Sequence, residues 1–217
     1  KVNLEMIKSY CKVNLFLKIL SKNNKGLHNI QSTVMLLDLY DEINIKKIKK
    51  NKDEVVFIGP FKKNIKSKTN TIISTLSLLR SHNFINYNKN YKITVNKRIP
   101  VFAGLGGGTA NAAFVIKHFL KNKINLKLLE IFESKIGSDL KLFFFKHSFQ
   151  KNLKKIKIFK KKYKFYFLLL YPNIKSSTKE VYSKVKKFNS PLEIDPSKIT
   201  SKDKYGKFLI NEVNDLQ

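Results

Sequence analysis

Pro100-Val101-Phe102-Ala103-Gly104-Leu105-Gly106-Gly107-Gly108-Thr109-Ala110-Asn111-Ala112-Ala113 is the stretch whose reading decides this fold. Its glycines cluster at 104–108. Ala112, Ala113, Val115, Ile116, Phe119 and Leu120 then form one broad apolar face of a helix predicted over 109–120. A glycine-dense loop opening directly into a helix is an anion site. Glycine lets the backbone approach a phosphate closely, and the unpaired N–H groups and positive dipole end attract it without side-chain charge. A nucleotide triphosphate is the natural guest. No Gly-Lys-Ser/Thr follows, so the loop is not a Walker A loop, and Thr109 takes the place of the third glycine of a dinucleotide fingerprint. Protein-kinase signatures are absent as well. A tight-turn loop without a ligand is the plain alternative, and the helix that follows counts against it.

Upstream, apolar residues alternate at Val13, Leu15, Leu17 and Ile19, which predicts a strand with one buried face. Residues 34–39, 43–45 and 55–58 read as further strands, the last ending at Gly59-Pro60, and 21–28 around Gly26 reads as a turn or ligand-facing loop. Ile72, Ile73, Leu76 and Leu79 share a helical face over 69–82, with Thr69 or Asn70 as N-cap, and 92–95 returns to strand before Arg98-Ile99-Pro100. Downstream, 127–136 and 178–187 read as helices, 140–145 and 165–171 as buried strands, and 151–164 as a solvated strand pair or loop. Strands first and helices after argue for an α+β fold rather than a doubly wound one. No internal repeat is visible.

Length and charge bound the function. The 217 residues suffice for one sizeable core, with one compact unit as the default. Lys and Arg number 44 against 15 Asp and Glu, a formal net charge of +29, which by itself suggests an anionic partner. Arg80 and Arg98 are the only arginines, and the lysines are spread with Asn and Ile through the chain, a pattern of AT-rich coding. Nucleic-acid readers favour the bidentate guanidinium, so no nucleic-acid partner is expected. Cys11 stands alone, which excludes an intramolecular disulfide and a cysteine zinc site and points to a reducing, cytoplasmic home. The apolar run 165–171 is too short to cross a bilayer, which takes about 20 residues, and no signal pattern opens the chain, so no membrane partner is expected either. The first residue is Lys1 rather than Met, so a start upstream of it is an expectation.

The loop resembles the second motif of the GHMP kinases, Pro-x-x-x-Gly-Leu-Gly-x-Gly-Ser-Ser followed by a small-residue helix. Two further segments are similar to one branch of that superfamily, the diphosphocytidyl-methylerythritol kinases. Cys11-Lys12-Val13-Asn14-Leu15-Phe16-Leu17 resembles Ala-Lys-Ile-Asn-Leu-Phe-Leu, and Lys25-Gly26-Leu27-His28 resembles Asp-Gly-Tyr-His. Gly137-Ser138-Asp139-Leu140-Lys141-Leu142-Phe143 resembles Gly-Ala/Ser-Asp-Val-Pro-Phe-Phe. Weaker echoes follow in family order at Pro172, Ser177-Thr178 with Tyr182, and Asn214-Asp215-Leu216.

The resemblance implies an ATP-dependent kinase that phosphorylates the 2-hydroxyl of a cytidine-diphosphate-linked methylerythritol, a small-molecule substrate, with Mg²⁺. Phosphoryl transfer to an alcohol needs a placed hydroxyl, charge stabilisation and a base. Asp139 resembles the catalytic carboxylate that accepts the hydroxyl proton, and Lys12 the lysine paired with it. Residues 100–110 resemble the nucleotide-binding loop, with Thr109 where the family places a serine hydroxyl near the metal and Ala110 in place of a second serine. His28 resembles the residue that reads the cytosine edge, Asn14 one that lines the substrate pocket, and Tyr182 offers a stacking ring. Read without the motifs, Asp139 serves equally as a turn or cap residue, Lys12 as a surface charge and His28 as a satisfied loop residue. Leu27 departs from the family's stacking tyrosine and Lys141 from its proline.

The implied architecture is the GHMP kinase fold, with a ribosomal-protein-like nucleotide-binding domain over 1–150 and the beginning of a GHMP C-terminal domain over 151–217. Family members continue past the echo at Asn214 into another glycine-rich segment, so the chain is expected to lack part of the C-terminal domain, with low stability and little activity if it ends there. Two other functions remain open at this point: another GHMP small-molecule kinase, such as one acting on mevalonate or homoserine, and a non-catalytic or basic nucleic-acid-binding remnant.

Overall fold

Period 3.6 reappears in the structure as helices, and period two survives around Ile93 and Val95, which are buried while Thr94 between them is only half-buried. The computed structural model describes residues 6–24, 26–63, 65, 70–161, 163–172, 174 and 178–216, apart from the side chains of Asn122, Thr178 and Lys179. Thr69, Lys25 and Ser177, singled out above, lie outside the described residues. In chain order the elements are β1 (Ile7–Lys22), β2 (His28–Ile48), β3 (Glu54–Ile58), α1 (Thr71–Ser81), β4 (Asn90–Asn96), α2 (Gly107–Leu120), α3 (Leu126–Ile136), a 3₁₀ segment (Leu140–Phe144), β5 (His147–Gln150), β6 (Ile156–Ile158), α4 (Thr178–Ser183) and α5 (Lys202–Asn211). The architecture is α+β, as the order of elements predicts.

The chain forms two units, each assembled from separated stretches. The first takes the chain up to Cys11, Leu37–Val101 and Leu105–Phe144; the second takes Lys12–Leu36, Phe102–Gly104 and the chain from Phe145 onward. In the first unit the far half of β2 runs antiparallel to β4, with Glu42 opposite Asn96 and Ile48 opposite Asn90. β3 lies parallel to β4, and α1 supplies the crossover that a parallel pair requires. Asn70 caps α1 by accepting the backbone N–H groups of Ile72 and Ile73 at 3.0 and 3.1 Å. Ile72, Leu76 and Leu79 of α1 and Ala112, Val115 and Ile116 of α2 are fully or almost fully buried.

In the second unit β1 pairs with β2 around a turn closed by hydrogen bonds between Asn23 and Leu27. β5 runs antiparallel to the near half of β2, with Ser32 opposite Gln150 and Met35 opposite His147, and β6 runs antiparallel to β5. Phe16, Phe149, Phe159 and Tyr205 form one core cluster; Leu17, Ile19 and Ile30 form another. Asp215 holds the end of the chain against β1, its carboxylate accepting the Ile19 N–H at 2.7 Å and its own N–H donating to the Leu17 carbonyl at 2.9 Å.

Several expectations change. β1 is buried on both faces rather than one, because Phe16 packs with Phe149 and, edge to face, with Phe208 of α5 while Leu17 and Ile19 enter the other cluster. The stretches 34–39 and 43–45 are one strand. Residues 140–144 form a 3₁₀ helix, since Leu140 donates to Gly137 and Leu142 to Asp139 in tight local turns; a stretch buried on every side shows no period to betray this. The run 165–171 has no strand partner among the described residues. The helix predicted over 178–187 stops at Ser183, and α5 was not foreseen, although Ser201 at its N-cap and Asp203 in its first turn are start signals. Among the described residues no helix is long and apolar enough to cross a membrane.

Candidate active site

The glycine loop gets its shape from backbone angles that most side chains resist. Gly104 and Gly106 have φ of 71° and 69°, and Phe102 adopts the same left-handed region at 59°, where a Cβ is strained. Gly106 is the N-cap of α2, and no side chain caps this helix. Its first backbone N–H groups are thus left to whatever the loop receives. Gly107 is closely packed, because a Cβ there would lie 3.2 Å from Ile99 Cγ2 and 3.3 Å from Lys97 Nζ and would push these neighbours by a few tenths of an ångström. Thr71 at the start of α1 donates to the Gly108 carbonyl at 3.0 Å, tying a second helix to the loop. α2 begins at Gly107 rather than at Thr109, two residues earlier than the sequence reading places it. Ala110 is fully buried, so its methyl belongs to the core.

Thr109 Oγ1 stands 3.5 Å from the point that a Cβ on Gly137 would occupy. The first turn of α2 and the Gly137-Ser138-Asp139 turn are therefore neighbours within the first unit. Gly137 has φ of 153° and ends α3, and Asp139 follows two residues later, half-buried. Behind Asp139 two lysines fasten the 3₁₀ segment. Lys141 is buried and pairs with Glu133 of α3 at 2.9 Å, so the residue that stands in the family's proline position joins the segment to a helix. Burial pushes the Glu133 carboxyl up while Lys141 pulls it back. Lys117 of α2 donates to the Phe143 carbonyl at 2.6 Å and lies over the Phe114 and Phe144 rings. Burial pulls its ammonium down to about 8.

In the second unit Lys12 is 7 % exposed, and its Nζ donates to Asn14 Oδ1 at 2.8 Å. Asn14 Nδ2 donates to Ser32 Oγ at 2.7 Å, and Ser32 donates to the Phe16 carbonyl at 2.6 Å. A relay across β1 and β2 thus orients both Asn14 and the Lys12 ammonium. His28 and Tyr182, far apart in sequence, come together with ring centroids 5.1 Å apart, and Phe188 joins them at 6.5 Å from His28. Burial, then the Lys22 charge, lowers the His28 pKa. Leu27 beside it is half exposed.

Sequence reasoning passed over a polar cluster beneath the loop, formed by Asp41, Lys97, Asn111 and Ser9. Lys97 Nζ donates to Asp41 Oδ2 and, at 3.2 Å, to Asn111 Oδ1; Asn111 Nδ2 donates to Asp41 Oδ2 and to Ser9 Oγ, both at 3.0 Å. The available signals were Asp41 inside an apolar strand and Asn111 inside a run of alanines. A cleft of about 670 Å³ in the same unit is lined by Val55, Val56, Phe57, Gly59, Pro60 and neighbouring lysines. No cluster of metal-ligating side chains exists among the described residues. The donors present suit a cation held by the Thr109 hydroxyl and by phosphate oxygens, the usual way in which magnesium binds with few protein ligands.

Comparison with known proteins bears on this geometry. Residues 70–141, from the N-cap of α1 through the 3₁₀ segment's start, match the model of the GHMP kinases N terminal domain. A 4-diphosphocytidyl-2-C-methyl-D-erythritol kinase of Pelagibacter ubique is 40% identical over 98% of this chain and 76% of its own length. One of Sulfurihydrogenibium is 35% identical over 85% of this chain, which spans 66% of that relative. Among solved structures, a 4-(cytidine 5'-diphospho)-2C-methyl-D-erythritol kinase superposes with a TM-score of 0.60 at 20% identity, covering 87% of this chain and 68% of the other. A mevalonate kinase superposes at 0.56 and 16%, covering 94% and 76%. Both structural likenesses speak to the fold.

Proposed function

The chain belongs to the 4-diphosphocytidyl-2-C-methyl-D-erythritol kinases, a branch of the GHMP kinases, and from that premise we propose that it transfers the γ-phosphoryl group of ATP to the 2-hydroxyl of 4-diphosphocytidyl-2-C-methyl-D-erythritol, in the methylerythritol phosphate route to isopentenyl diphosphate. The observation that carries the proposal is the junction at which an uncapped helix opens from left-handed glycines with Thr109 against the Gly137–Asp139 turn. Within the first unit the uncapped start of α2 lies beside the turn that carries Asp139, which supports an anion site next to a carboxylate.

In this reading residues 100–110 receive the phosphates, with loop amides offering hydrogen bonds that need no reorganisation as charge builds on the moving group. Asp139 accepts the hydroxyl proton. The 3₁₀ segment fastened by Lys117 and Lys141 holds that carboxylate still. Lys12, aimed by Asn14, supplies positive charge for the transfer. Asn14 offers amide hydrogen bonds to substrate hydroxyls, and His28 with Tyr182 presents a hydrogen-bonding edge beside an aromatic face, which suits a pyrimidine. Thr109 would hold Mg²⁺, whose charge neutralises the phosphate oxygens. The family's division into domains over 1–150 and 151–217 belongs to the same proposal.

Coupled ADP release with Mg-ATP and the cytidyl substrate tests it, on this chain and on Asp139→Ala. Turnover should fall by about 10²–10⁴-fold in the variant, with the thermal midpoint unchanged. A wild-type protein that binds ATP yet turns over mevalonate or homoserine instead would replace the substrate assignment.

A further inference from the structure

Three side chains that the proposed mechanism leaves unused meet beneath the glycine loop, and all are almost wholly buried: Asp41 at 0 %, Lys97 at 2 % and Asn111 at 2 % exposure. Burying an ion pair costs desolvation that apolar side chains of similar size would not incur, so the pair calls for a reason other than stability. That reason lies in what it holds. Asp41 Oδ1 accepts the backbone N–H groups of Arg98 at 2.7 Å and Ile99 at 2.9 Å, the two residues before Pro100. Asp41 Oδ2 accepts from Lys97 Nζ and from Asn111 Nδ2 in the second turn of α2. A single carboxylate therefore fixes the backbone on the upstream side of the loop and the helix on its downstream side. Lys97 Nζ also backs Gly107, the residue at which the helix starts, lying 3.3 Å from where a Cβ would stand.

We infer that Asp41, Lys97 and Asn111 are positioning residues for the phosphate loop, holding its amides in the geometry that receives a nucleotide. The inference rests on the kinase reading above. Amides fixed in advance stabilise developing charge without moving, and small displacements of such groups are costly. A merely structural cluster would lower stability when broken and weaken both substrates alike, or neither. A positioning cluster would weaken the nucleotide selectively.

Asn111→Ala removes the latch to α2 and leaves the Lys97–Asp41 pair intact, so it is the gentler variant; Asn111→Ser takes its place if the alanine variant does not fold. Lys97→Met is the harsher companion. The dissociation constant for ATP, read by titration calorimetry, and the KM for each substrate decide the matter. Asn111→Ala should raise the ATP constants about tenfold, the scale of one or two lost hydrogen bonds, and leave the KM of the cytidyl substrate within about twofold. Adding Lys97→Met should not multiply the effects, because both residues act through one carboxylate. A folded Asn111 variant with wild-type ATP constants overturns the inference and leaves the kinase reading standing. A wild-type chain that binds no ATP overturns that reading, and the inference with it.

Discussion

Residues 140–145 and 165–171 are both apolar and rich in phenylalanine, yet they end in opposite surroundings. Leu140 and Phe143 are fully buried, whereas Leu168 and Leu170 are 85 % and 83 % exposed. Composition does not separate them; anchoring does. The first stretch follows Gly137 and closes hydrogen bonds on itself, Lys117 of α2 donates to its Phe143 carbonyl, and its own Lys141 pairs with Glu133 of α3. The second is anchored at its beginning, where Phe165 lies within ring contact of Tyr163 and Tyr205, and beyond Phe167 it has no strand partner among the described residues. Apolar side chains create the drive for burial, while satisfied backbone groups decide whether a stretch can be buried.

The comparison is most exposed to failure at Phe143. Phe143→Ala should cost about 3–5 kcal/mol by urea unfolding, since it empties a fully buried aromatic site. A loss below about 1 kcal/mol would mean that the clamped stretch is loosely packed.

His147 tests the aromatic cluster to which the second stretch is tied. Its ring stacks on Phe159 at 3.7 Å and its Nε2 lies 2.9 Å from the Tyr205 hydroxyl, and burial pulls its pKa from 6.5 to about 4. Between those values the unfolded chain binds the extra proton, so stability is present above 6.5 and drains away as the pH falls toward 4, by about 3 kcal/mol at most. His147→Phe should remove that slope. A variant that keeps it would place the acid-sensitive group elsewhere.

Lys117 gives the clamped stretch a signature of the same sign in an alkaline window. Its ammonium titrates near 8 in the folded protein against 10.5 in the open chain. The unfolded state thus holds more protons between those values, and stability should rise as the pH climbs from 8 to 10.5. Partial exposure, the Phe143 carbonyl and the two rings limit the rise to about 1–2 kcal/mol. The difference between wild type and Lys117→Met in denaturant midpoint across that range isolates it.

What the sequence made legible follows from the same contrast. The glycine loop, α1, α2 and β4 announce themselves because φ > 0 demands glycine and amphipathic elements carry a period. The meeting of His28 with Tyr182 was legible only through the resemblance, since 154 residues of chain separate them. Asp41 and Lys97 were hidden because, in a chain with 44 Lys and Arg, one buried lysine looks like any other. The 3₁₀ segment was hidden for a different reason: burial on all sides erases the alternation that would have told helix from strand.

The smallest expected effect carries the comparison's other half. Leu168→Ser and Leu170→Ser replace side chains that already face water, so each should change unfolding free energy by less than about 0.5 kcal/mol, an order below Phe143→Ala. Equal and negligible values for both would establish that this stretch is exposed in solution and adds nothing to the core. A loss above about 1 kcal/mol at either position would mean that something covers it, and a concentration-dependent midpoint would identify the cover as a second copy of the chain. In that event the two stretches would differ in what buries them rather than in whether they are buried, and backbone anchoring would no longer explain the contrast.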